Sequence, residues 1–256
     1  MQIIALLAAA VMAFSPKAVE SAFDGHPGAL IILNATGETI LRYNATGCDE
    51  LLPPCSTFKI WNTAIGLETG IITDPDAPFW KWDGKKYWLD AWDHDQTVRS
   101  AFTLSCVPAY QSLARKIGAK RMAEYLHKIS YGNEDISSGV DVFWLPTPGR
   151  KPVLISPMAQ AKLIARLLQG ELPFSAHTQA VLKDIMKAKE TGRGILYGKT
   201  GTGTDESGKS NICWYVGYVE SGGKTYPFAC MIKGKDLTGK NARAVVEKTF
   251  SDVGLL

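Results

Sequence analysis

The sequence predicts an α+β fold of two lobes, with an antiparallel sheet flanked by terminal helices and a helical lobe inserted between its strands. Three observations carry this reading. Strand-like runs lie at both ends of the chain, within residues 28–44 and 194–233. Residues 56–192 between them read as helices joined by loops. A last amphipathic helix closes the chain. Strands at both ends must meet in one sheet, so the middle becomes a separate lobe and a cleft forms between the two.

Taken in order, Ile3 to Phe14 is an unbroken apolar run followed by Ser-Pro-Lys and small residues near Ala18 to Ala22. It is short for a membrane span and resembles the apolar stretch of a secretory leader. We therefore expect a leader at 1–22, an exported protein in the periplasm or the medium, and one catalytic domain at 23–256. No later segment reads as a membrane span. Ala29–Leu33 and Thr39–Tyr43 flank a turn-rich linker and read as a hairpin. Pro53 and Pro54 disfavour helix before them. Ile60, Ala64 and Leu67 then form an apolar stripe that stops at Gly70. Residues 73–100 are loop-like and rich in Trp, Asp and Pro. Val107–Ile117, Ala119–Ile129, Ser156–Gln169 and Thr178–Met186 have helical spacing. Ile195–Gly201, Asn211–Glu220 and Thr225–Lys233 read as strands, the last two joined by a turn at Ser221-Gly222-Gly223. Ala242, Val245, Val246, Phe250 and Val253 make one face of the closing helix.

A net charge of +3 with no long basic run gives no sign of a nucleic-acid partner. Five cysteines show no Cys/His spacing typical of a metal site, so no metal is expected. Cys48 and Cys55 lie seven apart, and in an exported chain they are candidates for a bridge.

Ser56 and Lys59 stand three residues apart and share a helix face. A hydroxyl at a helix N-terminus, one turn from a buried amine, suits an activated serine. The pair also fits a capping serine and a surface lysine. Lys199-Thr200-Gly201 falls on a strand, where the glycine permits close backbone approach and the cation and hydroxyl suit a carboxylate. It is no phosphate loop, because the glycine that motif needs is Arg193 here. Ser105 opens a helix and offers a second hydroxyl. No Gly-x-Ser-x-Gly is present, and none of the four histidines pairs obviously with Ser56. Lysine is the better candidate for the base.

Ser56-Thr57-Phe58-Lys59, Ser105-Cys106-Val107, Tyr131-Gly132-Asn133, Phe143-Trp144-Leu145 and Lys199-Thr200-Gly201 occur in the order and approximate spacing of class D (oxacillinase-type) β-lactamases. The chain resembles that family over nearly all its length after the leader. The resemblance implies a serine β-lactamase/penicillin-binding-protein-like fold, a β-lactam substrate, an acyl-enzyme on Ser56, and resistance to such drugs. It implies that Lys59, neutral at working pH, takes up carbon dioxide or bicarbonate and becomes the N-carboxylated general base. Bringing a lysine from about 10.4 to about 7 costs about 4.6 kcal/mol, which apolar burial can supply. In the same terms Trp144 donates to that carboxyl group and Val107 limits water. Ser105, with help from Lys199, protonates the leaving nitrogen. The Ser56 and Thr202 N–H groups form an oxyanion hole, and Thr200, Gly201 and Arg243 meet the substrate carboxylate. No other cofactor is implied, and the chain would be a monomer or homodimer. Two alternatives stay open: a penicillin-binding sensor or D,D-peptidase that is acylated without turnover, and a binding domain that reuses the fold.

Overall fold

The computed structural model describes residues 14–205, 208 and 211–256. The strand-like runs at the two ends do meet in one sheet. Strands β1 (Gly28–Leu33), β2 (Thr39–Tyr43), β5 (Lys187–Glu190), β6 (Gly194–Thr204), β7 (Asn211–Ser221) and β8 (Lys224–Gly234) form a six-stranded sheet. Its order is β2-β1-β8-β7-β6-β5, and every neighbouring pair is antiparallel. A small second sheet pairs β3 (Pro78–Trp80) with β4 (Gln96–Thr97).

The central strands are buried on both faces, so they read as continuous apolar runs. Alternate residues serve opposite cores. Ala29, Ile31, Leu33, Trp214, Val216 and Tyr218 join the core beneath the helical lobe. Leu30, Ile32, Cys213, Tyr215 and Val219 join the core beneath the chain termini. The second core is covered by α9 (Gly239–Asp252), whose Ala242, Val245, Val246 and Phe250 form the expected apolar face.

The expected leader, 1–22, lies mostly outside the described residues, which begin at Phe14. Residues 14–22 are placed: Ser15 caps the short helix α1 (Pro16–Glu20), and Phe14 and Val19 are buried. Phe14 sits edge-on to Phe250, with ring centroids 5.5 Å apart. No helix among the described residues is long and apolar enough to cross a membrane.

Helices α5 (Val107–Ile117) and α6 (Ala119–Ile129) match their predicted bounds. Helix α7 (Pro157–Leu168) is capped by Ser156, and α8 (Ala176–Met186) by Ser175. The sequence reading missed α2 (Ala45–Asp49), a single turn, and the edge strand β5. Lys187-Ala188-Lys189-Glu190 is polar and mostly exposed, so neither apolar alternation nor strand propensity marks it. It is extended because β6 offers it an edge, pairing Lys187 with Tyr197 and Glu190 with Ile195.

The bridge between Cys48 and Cys55 is not formed, and all five cysteines are free thiols. The two side chains face different carbonyls: Cys48 Sγ contacts Leu30 and Tyr43, whereas Cys55 Sγ contacts Pro53.

Candidate active site

Ser56 lies in a 3₁₀ turn, Cys55–Phe58, that runs straight into α3 (Lys59–Glu68). The turn is held from below. Trp214 Nε1 donates to the Pro53 carbonyl at 2.9 Å, and Thr57 Oγ1 donates to that of Pro54 at 2.7 Å. Gln160 Nε2 donates to Thr57 Oγ1 at 3.2 Å. Cys55 has φ +53°, a left-handed conformation that costs a non-glycine residue free energy, placed directly before the serine.

The Lys59 amine lies 2.8 Å from Ser56 Oγ. Its side chain is fully buried. The amine sits 5.4 Å from the Tyr110 ring centroid, and Phe58 stacks on Trp144 with centroids 5.5 Å apart. Burial pushes the lysine pKa well below its ordinary value, and the nearby Lys199 charge pushes the same way, against smaller opposite effects of Cys106 and Cys55. A surface lysine paired with a capping serine would have none of these properties. Tyr110, which the sequence reading did not single out, lies three residues after Val107 on the same helix face, and that spacing could have marked it.

Ser105 occupies a left-handed turn (φ +54°) between α4 (Val98–Thr103) and α5, and half-buried Val107 is the first residue of α5. Cys106, between them, is fully buried beneath the helical lobe. Trp144 is fully buried in the loop before α7. Among the described residues, Trp144 Nε1 and Ser105 Oγ are buried without a hydrogen-bond partner. Buried polar atoms rarely go unpaired, and Trp144, whose ring stacks on Phe58 one residue before Lys59, brings one of them to the neighbourhood of the serine–lysine pair.

The opposite wall is β6. Strand β5 pairs only with its first residues, up to Tyr197, so Lys199 to Thr204 present a strand edge uncovered by β5. Lys199 is 4% exposed. Its amine lies 3.3 Å from the Thr200 carbonyl and 5.5 Å from the Phe102 ring centroid, and burial lowers its pKa to about 7. Gly201 lies close to the nucleophile turn: a Cβ there would meet the Pro54 carbonyl and Thr57 Cγ2, each at 3.1 Å, tighter than ordinary contact. Strand and nucleophile turn are thus packed backbone to backbone. Thr202 is exposed, and its Oγ1 accepts a hydrogen bond from Gly239 N at 2.8 Å, tying β6 to the start of α9.

A cavity of about 190 Å³ opens beside Lys199, lined among others by Phe102, Thr200, Tyr215 and Arg243. It reaches the cation and hydroxyl of the Lys-Thr-Gly motif without touching Ser56, as a subsite for a carboxylate would. A wider cavity of about 420 Å³, lined by Leu51–Pro53, Pro146 and Arg150, lies away from both lysines.

The chain from 9 to 253 matches the family described as the penicillin binding protein transpeptidase domain. A Bacillus subtilis (strain 168) protein named "Probable beta-lactamase YbxI" is 34% identical over 232 residues, covering 91% of this chain and 84% of its own. The solved structure of FUS-1 (OXA-85), a class D β-lactamase from Fusobacterium nucleatum subsp. polymorphum, superposes with a TM-score of 0.84 at 36% identity, covering 93% of this chain and 98% of its own. The regulatory protein BlaR1 of Bacillus licheniformis is 31% identical over 225 residues, which are 88% of this chain and 36% of BlaR1.

Proposed function

The chain belongs to the class D β-lactamase family, hydrolases of β-lactams, and on that footing we propose how its residues divide the reaction. The observation that carries the proposal is the fully buried Lys59 amine at hydrogen-bond distance from Ser56 Oγ. An amine kept neutral by burial is a nucleophile. Lys59 forms an N–C bond to carbon dioxide and releases one N–H proton. Trp144 Nε1 and Ser105 Oγ are buried donors without partners among the described residues, which supports a carboxyl group being accommodated there.

Lys59 so modified takes the Ser56 proton as Oγ attacks the β-lactam carbonyl carbon. The oxyanion that forms is held by the N–H groups of Ser56 and Thr202, a contribution of about 3–4 kcal/mol per donor. The ring C–N bond then breaks. Its electron pair stays on nitrogen, which receives the proton held by Lys59 by way of Ser105 with help from Lys199, so that Lys59 is a base again. Lys59 next deprotonates a water that attacks the ester carbon, and Ser56 leaves with its proton restored. Val107 restricts water near the base. Thr200, Gly201 and Arg243 receive the substrate carboxylate. The protein works after export, in the periplasm or outside the cell, and protects its host from β-lactams.

Mass spectrometry of the protein mixed with a penicillin, followed over time, tests this. The expected result is a transient adduct on Ser56 while the penicillin disappears as hydrolysed product. A lasting adduct would show a sensor or D,D-peptidase, and intact penicillin without any adduct would show a domain without this chemistry.

A further inference from the structure

Arg243 stands one helical turn from a carboxylate. Its Nε donates to Glu247 Oε1 at 2.6 Å, and one NH2 hydrogen goes to the Ala188 carbonyl of β5 at 3.2 Å. The other Glu247 oxygen, Oε2, takes a hydrogen bond from Lys189 of β5 at 2.8 Å. Burial works to raise the Glu247 carboxyl, but the hydrogen bonds from Lys189 and Arg243 outweigh it and leave the pKa below the ordinary value. The Arg243 guanidinium lies 6.0 Å from the Tyr215 ring centroid and lines the cavity beside Lys199 and Thr200.

This is a costly arrangement if its purpose is charge alone. An acid beside an arginine offsets part of the attraction for a substrate carboxylate. What the acid supplies is orientation. An arginine side chain loses rotamer freedom when it is held in one geometry, and fixing it beforehand removes that cost from binding. With Nε and one NH2 hydrogen engaged, the guanidinium edge formed by NH1 and the second NH2 hydrogen remains for the cavity; NH1 makes no hydrogen bond among the described residues.

We propose that Glu247, braced by Lys189, is a positioning residue that aims Arg243 at the substrate carboxylate. This rests on the reading of Arg243 as the carboxylate ligand. The closing experiment compares R243A, E247A and E247Q on a penicillin and on its methyl ester, with melting temperatures measured alongside. R243A is expected to raise KM for the free acid about tenfold or more and to leave the ester nearly unchanged. E247A is expected to raise KM for the acid severalfold with kcat nearly intact. E247Q keeps an acceptor for Nε but turns an amide N–H towards Lys189 and loses that brace, so it is expected to fall between the parent and E247A. If R243A spares KM, the reading of Arg243 fails, and the proposal with it. If R243A raises KM while E247A does not, or if E247Q is as damaged as E247A, the positioning role alone is overturned.

Discussion

At the Ser56 end of the cleft, a fully buried amine has a hydroxyl 2.8 Å away, a stacked aromatic wall beside it, and two buried donors left without partners among the described residues. At the Arg243 end, the cation has a carboxylate and a carbonyl, and the carboxylate has a second cation. Unpaired buried polarity is expensive, and the Tyr215 hydroxyl beside Arg243 is also buried without a partner among the described residues, so polarity alone does not separate the two ends. Paired charge is cheap and well oriented, and it suits recognition, in which nothing has to change hands. What differs is the partner of each cation: a hydroxyl for Lys59 and a carboxylate for Arg243, as the proposed division into a chemical half and a binding half requires.

The largest expected break in that contrast comes from the base. Lys59→Ala should lower turnover by about a thousandfold or more, within the range for removal of a general base, and added bicarbonate should not restore it. Substantial hydrolysis by this variant in a steady-state assay would remove Lys59 from the mechanism. Trp144→Ala comes next. Loss of a buried donor to a charged group should cost about 10- to 100-fold at ambient carbon dioxide, recoverable with bicarbonate. Indifference of the variant to bicarbonate would contradict the hydrogen bond.

The smallest effect sharpens the comparison through stability. Lys199 has a folded pKa of about 7, below its ordinary value of 10.5, so between these limits the folded state holds fewer protons than the unfolded chain. Its burial therefore costs stability in full below about pH 7, and the cost fades as pH rises towards 10.5. Lys199→Met should raise the melting temperature most near pH 6 and progressively less towards pH 10, while abolishing function. A stabilisation independent of pH would mean that the Lys199 amine keeps an ordinary pKa in the fold.

Much of this was legible before any coordinates. The central strands announced themselves because burial on both faces leaves uninterrupted apolar runs, as in Ala29–Leu33 and Asn211–Glu220. Helices α5 and α6 were legible because each buries a single stripe. Ser56, Lys59 and Lys199 stood out through spacing and motif. What stayed hidden depends on partners distant in sequence. β5 is polar and is a strand only because β6 pairs with it. Cys48 and Cys55 looked bridgeable at seven residues, yet their side chains face different backbone segments. The Lys189–Glu247 brace joins residues 58 positions apart, and no local pattern records it.

The central claim is that the Lys59 amine, kept dry, carries a carboxyl group in the working enzyme. Carbon-13 NMR of the protein equilibrated with labelled bicarbonate tests it most directly. One carbamate resonance is expected near neutral pH, absent from Lys59→Ala and fading on acidification together with activity. A fully active enzyme lacking that resonance, or a resonance that survives in Lys59→Ala, would contradict it.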